Sequence, residues 1–292
     1  MLWGTTGTAQ TFATLSMSSY WIGTARLVVS AIFFALCIAV FDRQSLAKER
    51  LARIPWTLIL IAAISMCVYN LAFFAGVRSA GVAVGTALAL GSGPVWAGLV
   101  QALWLRRMPS MVWWFAISVA IAGLILASSD SLTTTSDAAT TGLILCLISG
   151  LSYAMFALVT KQAVAMAPAS MVTAMTFTIA ALLALPAAVL LAGIPVFNIG
   201  DLPVMLWLGV IATGVAYLLF SLGVQHVSSA TSVALTLAEP ITAVVLAIII
   251  VGEQPSNKGL FGMVIVFIGL VLIVRAELTE AIKNKSSVTA TS

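Results

Sequence analysis

The chain is a succession of long apolar runs, almost free of charge, each about as long as a helix that crosses a lipid bilayer. Such a helix needs about 20 residues at about 1.5 Å of rise each. Runs of this kind occupy roughly 2–18, 20–41, 56–78, 80–104, 111–128, 141–161, 169–193, 202–224, 227–250 and 258–275. They are continuously apolar, with no alternation of period two, so helices are expected and a lipid-facing barrel is excluded. Hydrophobic residues make up 62% of the sequence and charged residues 8%. A soluble domain runs nearer roughly 45–50% and about 25%. No soluble fold of 292 residues hides that much apolar surface, so the medium is lipid.

The chain also repeats itself. Residues 76–90 align with 223–237 at an offset of 147, with matches at Gly76/Gly223, Ala83/Ala230, Ala87/Ala234 and Leu90/Leu237. Residues 94–126 align with 240–272 at an offset of 146, through Pro94/Pro240, Pro109/Pro255, Ser110/Ser256, Phe115/Phe261 and Gly123/Gly269. Apolar matches are cheap in such a chain, but the Pro-Ser pair and the glycines at one offset are not. The unit holds five runs, an odd number, so its second copy enters the membrane upside down. Inverted repeats of this kind build secondary transporters. The expected fold is an all-α membrane protein of ten transmembrane helices, arranged as two inverted five-helix repeats. Residues 1–128 form the first repeat and 141–275 the second. Residues 129–140 read as a solvated Ser/Thr/Asp linker and 276–292 as a loosely ordered cytoplasmic tail.

Basic residues set the orientation. Arg43, Lys48, Arg50, Arg53, Arg106, Arg107, Lys161, Arg275, Lys283 and Lys285 all fall on one side if both ends are cytoplasmic. The other side receives Arg78 and Lys258, with Arg26 inside the second run. The 129–140 and 194–201 segments carry Asp130, Asp137 and Asp201 but no Lys or Arg. The location expected is a bacterial inner membrane.

Several chemistries are excluded. Cys37, Cys67 and Cys146 lie inside apolar runs, which suits packing rather than disulfides or metal. A single histidine, His226, cannot build a metal cluster and reads as an interfacial anchor. The basic residues form no stripe for nucleic acid. The first run has no basic segment before it and reads as a mature span rather than a cleaved leader. No Walker-type motif is present, so energy must come from a gradient, and no cofactor is expected. The partners expected are a small-molecule solute and the bilayer, with the chain a monomer or weak homodimer.

Ala238-Glu239-Pro240, Gly252-Glu253, Gly262 and Gly269 resemble the second-half pattern of the drug/metabolite transporter superfamily, EamA-type. Gly93-Pro94, Arg107-Met108-Pro109-Ser110 and Gly123 are similar to the first-half pattern, with Arg107 where Glu253 sits. Trp3-Gly4 and Arg26 also fit that half, and the resemblance covers about residues 2–275. It implies a ten-helix inner-membrane exporter or exchanger of small metabolites such as amino acids, nucleotide sugars, triose phosphates or cationic drugs. The tryptophan-rich first half, with Pro94-Val95-Trp96, resembles the branch that exports aromatic amino acids.

Glu239 falls near the middle of the ninth run, where a carboxylate needs a partner or a wet cavity. It reads either as a counter-ion or proton-coupling group, or as a structural glutamate. Pro240 removes a helical hydrogen bond beside it. The repeat mate is Gly91-Ser92-Gly93-Pro94, so Gly91, Gly93, Pro94 and Pro240 are expected hinges where two helices break at matching depth. Helical spacing gathers further polar and aromatic residues into stripes: Trp3, Thr6, Gln10 and Thr14; Tyr69, Asn70 and Phe73; Ser92 and Trp96; Ser149, Ser152, Tyr153 and Phe156; Thr213, Tyr217 and Ser221. Each alone could glue helices together. Jointly they suit a cavity for an aromatic or amphiphilic solute. Trp96, Tyr153 and Tyr217 are the first choices for its wall, with Ser92, Gln10, Asn70, Thr213 and Phe156 beside them. Arg26 reads as structural, snorkelling outward or paired with a carboxylate.

Two other classes compete. Gly91-Ser92-Gly93 with His226 faintly suggests an intramembrane serine protease, but Leu90 stands where that motif needs glycine. A channel would use rings of carbonyls or charge about a symmetry axis, and a single mid-depth carboxylate does not supply one. The chain is expected to be a carrier and not an enzyme.

Overall fold

The computed structural model describes residues 1–10, 18–41, 54–80, 82–106, 108–128, 137–195, 198–252 and 256–289. The basic loop with Arg43, Lys48, Arg50 and Arg53, together with Arg107, most of the linker and Glu253 to Pro255, lies outside the described residues. Among the described residues every regular element is helical. A 3₁₀ turn, Leu2–Gly4, leads into α1, Thr5–Gln10. Then follow α2 (Ser19–Phe41), α3 (Trp56–Ala80), α4 (Val82–Leu105), α5 (Met111–Ser128), α6 (Asp137–Val164) and α7 (Ala169–Ala192). α8 is α-helical over Leu202–Leu206, a π-helix over Trp207–Val215 and α-helical again over Ala216–Gly223. α9 runs Ser229–Ala234, tightens to 3₁₀ at Leu235–Leu237, resumes as Ala238–Leu246 and ends as a π turn, Ala247–Val251. α10 spans Asn257–Thr289. Seven of these helices are long and apolar enough to cross a membrane, and α5 adds a shorter apolar one, Met111–Ala127.

The ends follow local chemistry. Gly193, at φ 70°, stops α7 in a conformation that side chains resist. Ser228 caps α9 by accepting from the Thr231 N–H at 3.1 Å. Pro94 does not break α4, which is one helix from Val82 to Leu105 with the proline inside. The expected pair of interruptions is therefore seen only at α9, where the 3₁₀ turn precedes Pro240. α4 stays whole because, in a membrane helix, packed neighbours and nearby hydroxyls can make good the one backbone bond that a proline removes; beside it Gly91 faces Leu124 of α5, and Gly93 faces Val233 of α9. α10 also departs from expectation, because it continues through the presumed loose tail. The stretch after Arg275 is rich in good helix formers, and the Thr279 hydroxyl donates to the Arg275 carbonyl at 2.8 Å. The linker is shortened from the other side, since α6 begins at Asp137.

α3 packs on α6 and α7, α4 on α6, α2 on α7 and on the π segment of α8, and α5 on α10. The first part of α9 lies on α4, and its middle lies on α1. One buried core joins Leu27, Met66, Ile117, Phe156, Phe177, Tyr217, Leu237 and Val266, drawn from eight helices. Large apolar side chains face outward all round, including Phe115 at 63% exposure and its repeat mate Phe261 at 62%. Such a belt is untenable in water and natural against acyl chains.

Candidate functional site

Where α4 meets α9, the bundle encloses a cavity lined by Trp3, Tyr69, Ala89, Leu90, Gly93, Tyr153, Tyr217, Val233, Thr236 and Glu239. Its empty space, counted with the part open to the outside, is about 330 Å³, and very little of it is wide enough for water. That is room for about one water. The aromatic side chains fill the rest. Trp3 lies 5.0 Å from Tyr217, 6.2 Å from Tyr153 and 5.9 Å from Phe220, ring centre to ring centre. Tyr69 lies 5.2 Å from Tyr153, and Phe177 supports Tyr217 from behind at 4.9 Å. The cluster is a set of tilted and edge contacts, the arrangement ring quadrupoles favour.

The polar groups stand out against this wall. Glu239 is half-buried, in the first turn after the 3₁₀ interruption of α9. The Thr236 hydroxyl donates to the Val233 carbonyl at 2.6 Å and turns inward at the same interruption. The Tyr153 hydroxyl and the Trp3 indole N–H are buried and make no hydrogen bond among the described residues. Arg26 of α2 is buried, its Nε donating to the Thr213 hydroxyl at 3.1 Å and its guanidinium lying 5.3 Å from the Phe74 ring centre. Thr213 in turn donates to the Leu208 carbonyl, five residues back, at 2.6 Å. The π segment of α8 thus aims Thr213 at α2, and π turns of this kind recur at functional sites.

Of the residues expected to line a site, Tyr153 and Tyr217 meet at the cavity, together with Glu239, the expected coupling or counter-ion group, and Gly93, an expected hinge. Phe156 stands behind Tyr217, 5.6 Å away. Thr213 serves Arg26 instead. Trp96 lies one turn further along α4, packed on the core with its indole N–H unpartnered. Ser92 turns toward α6, where it crowds Gly150, and donates to the Ala89 carbonyl at 3.4 Å. Asn70 is buried one position round from the cavity and donates to the Met66 carbonyl at 3.0 Å. The Gln10 side chain lies outside the described residues. Gly91 faces α5, while Pro94 and Pro240 are buried. Trp3 and Tyr69 were visible in the stripes but not ranked. Arg26 was visible as a charge in an apolar run and as part of the first-half pattern, with a structural role expected of it. His226 is exposed in the turn after α8, and Ser92 packs within the bundle. Among the described residues no cluster suits a metal ion.

Comparison with known proteins bears on the family and the fold. The model of the EamA-like transporter family matches residues 1–129 and residues 140–275. The uncharacterized transporter YwfM of Bacillus subtilis (strain 168) is 35% identical over 271 residues, covering 93% of this chain and 89% of that protein. A solved crystal structure shares the fold with a TM-score of 0.77 at 14% identity, over 93% of this chain and 92% of that one. With apolar helices enclosing a small aromatic chamber, and a family model spanning both halves, the chain belongs to the EamA-like transporter family.

Proposed function

We propose that the chain is a ten-span secondary carrier. It exports small metabolites, aromatic or amphiphilic amino acids or related cations, by alternating access across a bacterial inner membrane. Both ends are cytoplasmic, the halves 1–128 and 141–275 are inverted copies, and an ion or solute gradient supplies the energy. The observation that carries this reading is the chamber at the α4–α9 crossing, which presents a carboxylate and an aromatic wall to whatever enters. Cavities that bind small solutes are largely apolar with a few placed polar groups.

The packing of the glycines supports the inverted pairing. A Cβ on Gly150 of α6 would meet the Gly93 N–H group of α4 at 3.1 Å. A Cβ on Gly4 would meet the Glu239 carbonyl of α9 at 2.8 Å. Gly150 and Gly4 are 146 residues apart, as are Glu239 and Gly93, so one contact is the repeat image of the other. Helix neighbours follow the same rule: α4 on α6 mirrors α9 on α1, and α3 on α7 mirrors α8 on α2. Both contacts converge on the chamber, so rocking one half on the other changes access to it.

Reconstitution of the full chain in liposomes tests this. Preloading with unlabelled phenylalanine should accelerate uptake of labelled phenylalanine several-fold, with saturation. Linear flux without such exchange would favour a channel instead. Orientation is checked separately with single cysteines at Asp137 and Lys161 in a cysteine-free background. An impermeant maleimide should reach the two from opposite sides, and labelling of both from one side would sink the inverted topology.

A further inference from the structure

One charged group lines the chamber, Glu239, and an opposite one, Arg26, stands behind the wall, bonded to Thr213 one turn before Tyr217; the two form no ion pair. Glu239 makes neither hydrogen bond nor ion pair among the described residues. Arg26 is 5% exposed, and its Nε bond to Thr213 is the one hydrogen bond it makes among the described residues. Its charge acts on Tyr69, Tyr217 and Glu239, three residues of the chamber wall. No carboxylate of the described residues comes within 4.0 Å of its guanidinium. Arg26 and the N-terminal ammonium both act on Glu239 from a distance, but neither bonds it, so Glu239 and the free edge of the guanidinium each keep capacity for a bonded partner.

The chemistry of that partner follows from the donors and acceptors on offer. With Nε tied to Thr213, the remaining guanidinium edge is a planar fork of donors, the geometry that grips a carboxylate with two bonds. The Tyr153 hydroxyl and Trp3 N–H, unpartnered among the described residues, add donors on the chamber wall. Glu239 is the one carboxylate in the lining. The wall between is aromatic. A primary amine would satisfy Glu239 and leave Arg26 alone. A simple carboxylate would do the reverse. A zwitterion with an apolar side chain satisfies both and brings no net charge into a low-dielectric site.

We infer that Arg26 is a specificity-determining residue that receives the solute's carboxylate while Glu239 receives its ammonium, so the chamber selects zwitterionic α-amino acids over amines and acids of the same shape. This rests on the carrier reading above. It assigns Arg26 a role beyond the structural one expected of a charge in an apolar run.

The test uses the full chain in liposomes and three probes: phenylalanine, phenethylamine and 3-phenylpropionate. In the wild type, unlabelled phenylalanine should compete with labelled phenylalanine at least tenfold better than either truncated probe. Arg26→Gln should lower phenylalanine flux at least tenfold and leave phenethylamine flux unchanged or raised. Wild-type transport of phenethylamine as fast as phenylalanine would overturn the inference and leave a carrier of aromatic cations standing. So would undiminished phenylalanine flux in Arg26→Gln, or equal loss of both probes in that variant, the mark of a purely structural arginine. Transport of none of the three by the wild type would overturn the aromatic-solute reading as well. Should Arg26→Gln fail to insert, the wild-type competition series decides alone.

Discussion

Glu239→Gln should cut solute flux by roughly tenfold to a hundredfold while the protein inserts and melts as the wild type does. The magnitude is that of one hydrogen bond to a charged group, about 1.5–3 kcal/mol. The unchanged stability follows from the environment of the residue. A structural glutamate in a membrane helix holds a partner, and losing it leaves that partner stranded. Glu239 makes no hydrogen bond or ion pair among the described residues and opens on the chamber. The amide keeps the shape and strands no bonded partner, so the folded state loses little. Counterflow in liposomes and thermal unfolding of the purified protein in detergent separate the two roles. Wild-type flux would rule out a part in transport. A large drop in Tm with proportionate loss of flux would return Glu239 to a structural role.

Much of the helical frame could be read from the chain because lipid imposes a simple rule. A segment without charge for about 20 residues must be helical, and its ends lie where polarity returns. The expected bounds of α2, α3, α5 and α7 fall within two residues of those seen. α10 overran because helix propensity continues past the point where hydropathy stops. The site was harder. Tyr153, Tyr217 and Glu239 were visible because each is a polar or aromatic interruption near the middle of a run. Trp96 was named as a wall residue and Tyr69 was not, and nothing in a stripe says which neighbouring helix it faces. Thr213, Tyr217 and Ser221 share a face only if α8 has 3.6 residues per turn. The π segment breaks that register. Thr213 bonds Arg26 of α2, Ser221 receives a bond from Thr173 of α7 at 2.7 Å, and Tyr217 faces the chamber between them. Periodicity cannot foresee a π turn, so the Arg26–Thr213 contact was hidden although both residues were in view.

The second large effect is expected far from the chamber, on the seam between α5 and α10. Gly123→Ala should destabilise the protein by about 1–3 kcal/mol, the usual cost of overpacking. Its new Cβ would stand 2.7 Å from both the Gly262 carbonyl oxygen and the Val266 nitrogen, where no flexible side chain can yield. Gly269→Ala should cost about the same, because its Cβ would meet the Ala120 backbone at 2.8 Å. Val266 and Ala120 are 146 residues apart, like Gly269 and Gly123, so the two substitutions press on the same contact from its two repeat-related sides. The double variant should lose less than the sum, since the first methyl already spreads the seam that the second would spread. Gly223→Ala is the control. Its Cβ would meet nothing within 4 Å, so replacement there should be neutral or gain up to about 1 kcal/mol in helix propensity. Unfolding by titrated denaturing detergent, followed by tryptophan fluorescence, measures all four. Equal single losses with sub-additive coupling would tie the two glycines to one duplicated contact, and widely unequal losses would mean that the halves do not meet there as copies.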